Sequence, residues 1–172
     1  MPTTTYKKIA VVEVGAGGAA NIEFTSIPQT YTDLVLKLSA RSTNSNHSNN
    51  CTVEFNGSGG TAYSVRFLYG DGSAASSAAR AGVAKADIGY NSANAATANT
   101  FGNIELYIPN YAGSTNKSFS SDGVAETNAT TVLSGLFAGL WSNTAAITSL
   151  KIIDYDGFNL TQYSKATLYG IA

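Results

Sequence analysis

FGNIELYIPNYAGSTNKSF, residues Phe101–Phe119, decides how the rest of the chain is read. In its first half Ile104, Leu106 and Ile108 recur at every second position, with Glu105 and Tyr107 between them. Side chains of a β-strand point alternately to opposite faces, so this spacing predicts a half-buried strand with one apolar and one wet side. Pro109 cannot donate to a ladder and ends the strand. Residues 110–117, NYAGSTNK, form a polar loop that leads to the next strand at Phe119. The stretch carries no catalytic pair, no metal cluster and no phosphate cradle, and its reading is architectural.

The same period of two runs through the chain. YKKIAVVEV (Tyr6–Val14) is rich in β-branched residues, and NIEFTSI (Asn21–Ile27) follows it across GAGGA (Gly15–Ala19), a pairing that reads as a hairpin. DLVLKLSAR (Asp33–Arg41) places Leu34, Leu36 and Leu38 on one face. CTVEFN keeps Cys51, Val53 and Phe55 in phase, VAKADIGY (Val83–Tyr90) is another strand, and KSFSSDGVAE is a weaker one. AITSLKIIDY (Ala146–Tyr155) and YSKATLYGI (Tyr163–Ile171) close the pattern. Three segments read less sharply. AYSVRFLYGDG alternates Tyr63, Val65, Phe67 and Tyr69 but also suits a helical turn. SAASSAARAG (Ser73–Gly82) is small and low in complexity, and is expected as an exposed loop or a strand-poor crossing. TTVLSGLFAGLW (Thr130–Trp141) is expected as a strand bulged at Gly135 or Gly139. The sum is eight to ten strands and no long helix. The fold class is therefore all-β, a single-domain antiparallel β-sandwich or jelly roll over residues 1–172 with a short N-terminal arm, 1–5.

A chain of 172 residues buries roughly 70% of its unfolded surface and needs no covalent staple. Only 12% of its residues are charged and the formal net charge is -1, so Ser, Thr, Asn, Gly and Ala must cover most of the surface. The ten Lys and Arg are scattered, which leaves no basic patch for nucleic acid. No apolar run approaches the roughly 20 residues of a membrane span, and the N-terminus has no signal-peptide pattern. The expectation is a soluble protein made in a cytoplasm. The single cysteine, Cys51, excludes an internal disulfide and a Cys-based zinc site, and reads as a buried strand residue.

Four segments or residue sets suggest chemistry, and each has a plainer reading. Gly15-Ala16-Gly17-Gly18-Ala19-Ala20 satisfies a GxGxxA pattern after a strand, but the residues that follow alternate and reach Pro28 where a phosphate-binding helix must open. His47, the only histidine, stands in a polar loop without a nucleophile motif. Asp154-x-Asp156-Gly157 opens like a calcium loop and then lacks its distal Glu, so a hairpin turn is expected there. Glu54, Glu105, Asp122 and Glu126 offer carboxylates that sequence cannot pair for glycoside hydrolysis. No catalytic, metal or cofactor site is assigned, and the chain is not expected to be an enzyme. Ten Tyr and Trp141 either stabilise cross-strand pairs or form a sugar-stacking platform.

The segments IPQTYTDLVLKLSAR (Ile27–Arg41), TANTFGNIELYIPNYAGSTNKSF (Thr97–Phe119), GLWSNTAAITSL (Gly139–Leu150) and QYSKATLYGI (Gln162–Ile171) resemble a family of small β-sandwich virion proteins of tailed bacteriophages, those of cyanobacteria among them. The resemblance implies a structural role in the virion. It points to a cement or decoration protein bound to the major capsid protein on the outside of the head, or to a tail-fibre or tail-tip module that binds a host glycan. The chain opens on Met-Pro and a strand and ends with its closing strand, as expected of a free-standing cement unit that self-associates as a dimer or trimer. Tyr6, Lys7 and Lys8 near the N-terminus, with Tyr111 and Lys117 in the long loop, are the expected contact residues, since exposed aromatics and cations often anchor interfaces.

Overall fold

The computed structural model describes residues 5–128 and 132–172. Most of the expected arm 1–5, and the first two residues of the strand expected from Thr130, lie outside them. The described residues form twelve strands and no helix. In chain order they are β1 (Tyr6–Glu13), β2 (Ile22–Phe24), β3 (Asp33–Ala40), β4 (Ser48–Phe55), β5 (Tyr63–Gly70) and β6 (Ala75–Val83). They continue as β7 (Ala86–Ser92), β8 (Gly102–Ile108), β9 (Lys117–Ala125), β10 (Leu133–Trp141), β11 (Leu150–Asp154) and β12 (Lys165–Ile171). The count exceeds the expected eight to ten, because SAASSAARAG is itself a strand and Val83–Tyr90 divides into the end of β6 and most of β7.

One sheet has the order β1-β12-β3-β8-β9-β10-β5-β6 and the other β2-β11-β4-β7. Every pairing between these strands is antiparallel. Setting aside β5, β6, β9 and β10 and renumbering the rest gives sheets of order 1-8-3-6 and 2-7-4-5. That is the interleaved order of a jelly roll, two Greek keys wrapped into a sandwich. The two hairpins set aside are inserted between β4 and β7 and between β8 and β11. They extend the larger sheet past β8 as a four-stranded flange, β9-β10-β5-β6.

The core follows from the alternation. Leu34, Leu36 and Leu38 of β3 face Ile104, Leu106 and Ile108 of β8 in register, and all six are buried. Val53 and Phe55 of β4 and Ile152 of β11 close the other side. Cys51 joins them, fully buried as expected, and burial pushes its thiol far above the ordinary range. Trp141 meets Phe55 at 5.6 Å and Tyr63 at 6.3 Å between ring centroids. A second, smaller core of Val65, Phe67, Tyr90, Ala125 and Phe137 lies under the flange, with Phe67 and Phe137 stacked at 5.2 Å. Here β7 lies across β8, β9 and β10 and holds the flange to the body.

Four local expectations are corrected. Residues Tyr6–Val14 and Asn21–Ile27 do not form a hairpin: β1 pairs with β12 and β2 with β11, in different sheets. The Gly-rich turn instead carries the chain between layers, tied by Ala19 and Leu160, whose backbones exchange hydrogen bonds of 3.0 and 2.7 Å. Asp154–Gly157 is a turn, with Gly157 N donating to Asp154 O at 3.0 Å, but it also leads from one sheet to the other. Ser73–Gly82 is mainly the edge strand β6. Finally, β10 keeps an unbroken register with β5 and β9, so neither Gly135 nor Gly139 is bulged. A Cβ on Gly139 would lie 2.1 Å from the Phe119 ring, so this glycine makes room for an aromatic side chain of the neighbouring strand.

The turn between β5 and β6 yields a first prediction. Asp71 Oδ1 accepts hydrogen bonds from Ala74 N at 2.8 Å, Ser73 Oγ at 2.8 Å and Ser73 N at 2.9 Å. These donors, the Ala74 amide foremost, hold the carboxyl at about 2, against an ordinary 3.8. The folded value is depressed, so the stabilisation is complete above 3.8 and is lost as the pH falls through about 2. A carbon-detected NMR titration is expected to place the Asp71 midpoint near 2. A midpoint at the ordinary value shows that these bonds do not hold the turn in solution.

Candidate functional site

The flange presents the surface that the fold leaves least explained. Its strands alternate cleanly, so Phe67 and Phe137 turn inward while Leu68 and Leu136 turn out. Leu68 and Leu136 are directly opposed across the β5–β10 ladder and are 61% and 62% exposed. Two shallow depressions of 670 and 480 Å³ lie on either side of this pair. Ala138, Ala79 and Ser77 line the first, and Val124, Ser134 and Ala75 the second. Charge is sparse on this face: Arg66 and Asp122 border the leucines, and the Lys37–Glu105 pair, 2.7 Å apart, stands farther along the sheet. The result is a flat, mostly neutral surface with two large apolar side chains on a rigid base. Exposed apolar surface of this kind marks contact with another molecule more often than a scattered single leucine does.

The outer strand of the flange, β6, is held from inside. Arg80 turns inward, with Nε 3.0 Å from Oδ2 of the fully buried Asp87 and its guanidinium 4.4 Å from the centre of the Tyr155 ring. Lys85 Nζ donates to Tyr155 O at 2.6 Å beside it. An ion pair with one partner fully buried, its guanidinium lying on an aromatic ring, is a firm anchor. β6 therefore keeps its place although most of its own side chains are exposed.

A second polar cluster surrounds the turn after β11. Asp154 is fully buried and accepts from Asn49 Nδ2 at 2.8 Å, Asn91 Nδ2 at 3.0 Å and Asp156 N at 3.1 Å. Asp156 accepts from Asn49 at 3.0 Å and Asn44 at 3.3 Å. Amide donors satisfy both carboxylates, so the network holds a turn between layers. Among the described residues, no group of three or more His, Cys, Asp or Glu could hold a metal ion. His47 is half-buried in its loop, beside Ser48 and Ala95.

Of the expected contact residues, Tyr6, Lys7 and Lys8 lie exposed on β1, with the Tyr6 ring 6.2 Å from that of Tyr169. Tyr111 and Lys117 are corrected: both are buried. The loop 110–116 folds back onto the body, where the Tyr111 hydroxyl donates to Pro28 O and Ile147 N donates to Tyr111 O at 2.9 Å. Lys117 is the first residue of β9 and shares the inward face with Phe119. That two-residue phase was visible in the sequence and was the signal for its burial. Trp141 is likewise inside and offers no sugar platform; Tyr63, Tyr90 and Tyr111 are buried too, while Tyr6, Tyr107 and Tyr163 remain accessible.

Leu68 and Leu136 were not singled out in the sequence, although the signal existed. Each occupies the outward phase of a strand whose inward phase is already filled by aromatics. The edge β6 was missed because Ala and Ser carry little strand preference, and only its pairing with β5 makes it one. No protein-family model matches the chain, and no curated protein matches it.

Proposed function

We propose that this chain is a virion structural protein of a tailed bacteriophage, a cement or decoration protein that adheres to the outside of the capsid through the outer face of its flange. One observation carries the reading: the opposed, exposed Leu68 and Leu136 sit on a flat, mostly neutral sheet face that extends a jelly-roll body. A cement protein needs a rigid body and a broad contact face rather than a cleft, and this geometry supplies both. The sequence resemblance supports the virion assignment. Three of its marker segments supply the adjacent strands β12, β3 and β8 of the scaffold.

The test is co-sedimentation of the purified protein with heads of the parent phage that lack it. Wild type is expected to pellet with the heads, and the Leu68→Ser/Leu136→Ser variant to bind at least about tenfold more weakly, as for a central apolar contact. Its circular dichroism spectrum is expected to match wild type, since both side chains are already in water. Wild-type protein that stays in the supernatant overturns the capsid reading. Selective binding to a glycan array in that case assigns the chain to the tail, as a receptor-binding module.

A further inference from the structure

We infer that β6 is a self-association edge: two copies of this chain pair β6 to β6, antiparallel, around a two-fold axis perpendicular to the sheet. The argument begins with the four sheet edges. Unpaired strand edges invite another strand, and soluble proteins blunt them with shortness, charge, proline, bulges or cover. Three of the four edges here are blunted. β2 has only three residues. β7 is buried along its whole length. β1 carries Lys7 and Lys8 and a register break between Lys8 and Ala10.

β6 has none of this protection over residues 75–81. It is nine residues long, exposed along most of its length, and without Pro, Lys, Asp or Glu. Its irregularity is confined to the end, between Ala81 and Val83, where Gly82 has a φ of 65°. Its only charge, Arg80, is drawn inward to Asp87 and Tyr155 and leaves the edge neutral.

The occupant follows from the side chains along this edge. An antiparallel pair around a perpendicular two-fold keeps each residue opposite one of the same face, so some residue must meet itself. Centring on Ala78 brings the whole regular run 75–81 into register. Ala75 then faces Ala81, Ser76 faces Arg80 and Ser77 faces Ala79, with Ala78 meeting its own copy. No large side chain obstructs the approach and no like charges oppose one another. The strand is thus compatible with itself, which is the condition for an isologous interface. This pairing joins the two flanges into one continuous sheet and sets both Leu68–Leu136 pairs on the same side. A dimer would then present two copies of the apolar face in one plane, and a second contact made by a linked copy strengthens binding through effective concentration.

Sedimentation equilibrium of the full chain over a hundredfold concentration range tests the inference. Wild type is expected to approach twice the chain mass of 17.8 kDa. Ser77→Lys/Ala79→Lys is expected to stay at 17.8 kDa with an unchanged far-ultraviolet circular dichroism spectrum. Directly opposed residues hold their Cβ atoms about 4.5–5.5 Å apart, so Ala78→Cys is expected to form a reducible cross-linked dimer under mild oxidation while the buried Cys51 stays a free thiol. Wild type at the single-chain mass throughout overturns the inference and leaves the edge to a strand from another protein. A dimer that survives the double lysine substitution, or Ala78→Cys that does not cross-link, overturns it by placing the interface elsewhere. Sedimentation equilibrium and cross-linking are read on the isolated chain without phage heads, so failure here is distinguishable from failure of capsid binding.

Discussion

Trp141→Ala is expected to lower the unfolding free energy by about 4 kcal/mol, in the range for truncating a large core aromatic. The chain's only tryptophan is fully buried where the jelly-roll body meets the flange. Its ring meets Phe55 from β4 and Tyr63 from β5, and Phe55 in turn meets Phe119 from β9 at 5.6 Å. Aromatic rings from two strands, β4 and β5, therefore lose their common partner, and sheets this tightly registered can collapse only partly into the space. An opposing effect sets the control. Among the described residues the indole Nε1 has no hydrogen-bond partner, and an unsatisfied buried N–H costs about 1–3 kcal/mol. Trp141→Phe gives up ring area but also removes that cost, so its loss is expected to stay below about 2 kcal/mol. Far-ultraviolet circular dichroism in urea measures both, since the intrinsic fluorophore is the residue removed. A Trp141→Ala loss no larger than that of Trp141→Phe shows that the indole is not the keystone of this junction.

Lys117→Met is expected to cost about 3 kcal/mol, as when buried acceptors lose a charged donor. Lys117 is 1% exposed. Its Nζ donates to Gly113 O at 2.6 Å and to Thr115 O, and lies 3.5 Å from Thr144 O. Methionine fills much the same space but leaves these carbonyls without their donor, and they are what closes the loop 110–116 onto the body. A pH series adds a second readout. Burial pushes the Lys117 ammonium below its ordinary 10.5. The folded chain therefore sheds this proton before the unfolded chain does, and stability contributed at this site rises with pH up to 10.5. The stability difference between wild type and Lys117→Met is expected to widen over that alkaline window. A difference that shrinks there, or a substitution cost under about 0.5 kcal/mol, contradicts the assigned role.

The alternation of Leu34, Leu36 and Leu38, and of Ile104, Leu106 and Ile108, was legible because burial on one face of a strand leaves a local period of two. The same rule reached Cys51 and the closing strand β12. It stopped at residues whose state depends on a distant partner. Ala75–Ala81 carries too little apolar or branched character to declare itself a strand, and it becomes one through the β5 ladder and the Arg80–Asp87 clip. Tyr111 looks like a surface residue within NYAGSTNK, because nothing local says that the loop folds inward toward Pro28 and Ile147, whereas Lys117 is masked only by its charge and shares the inward phase of Phe119. The Gly-rich turn after β1 looked like a hairpin because a turn records a change of direction and not which sheet the next strand joins.

Composition and period alone therefore determine that this is a β-protein with a large core and a nearly neutral surface, since those properties sum over local choices. The tertiary structure alone decides the jelly-roll order, the inserted hairpins that build the flange, and the outward placement of Leu68 beside Leu136. The reason is physical: strand order and edge exposure arise from pairings between residues far apart in the chain, and no local pattern encodes which strand will be left without a neighbour.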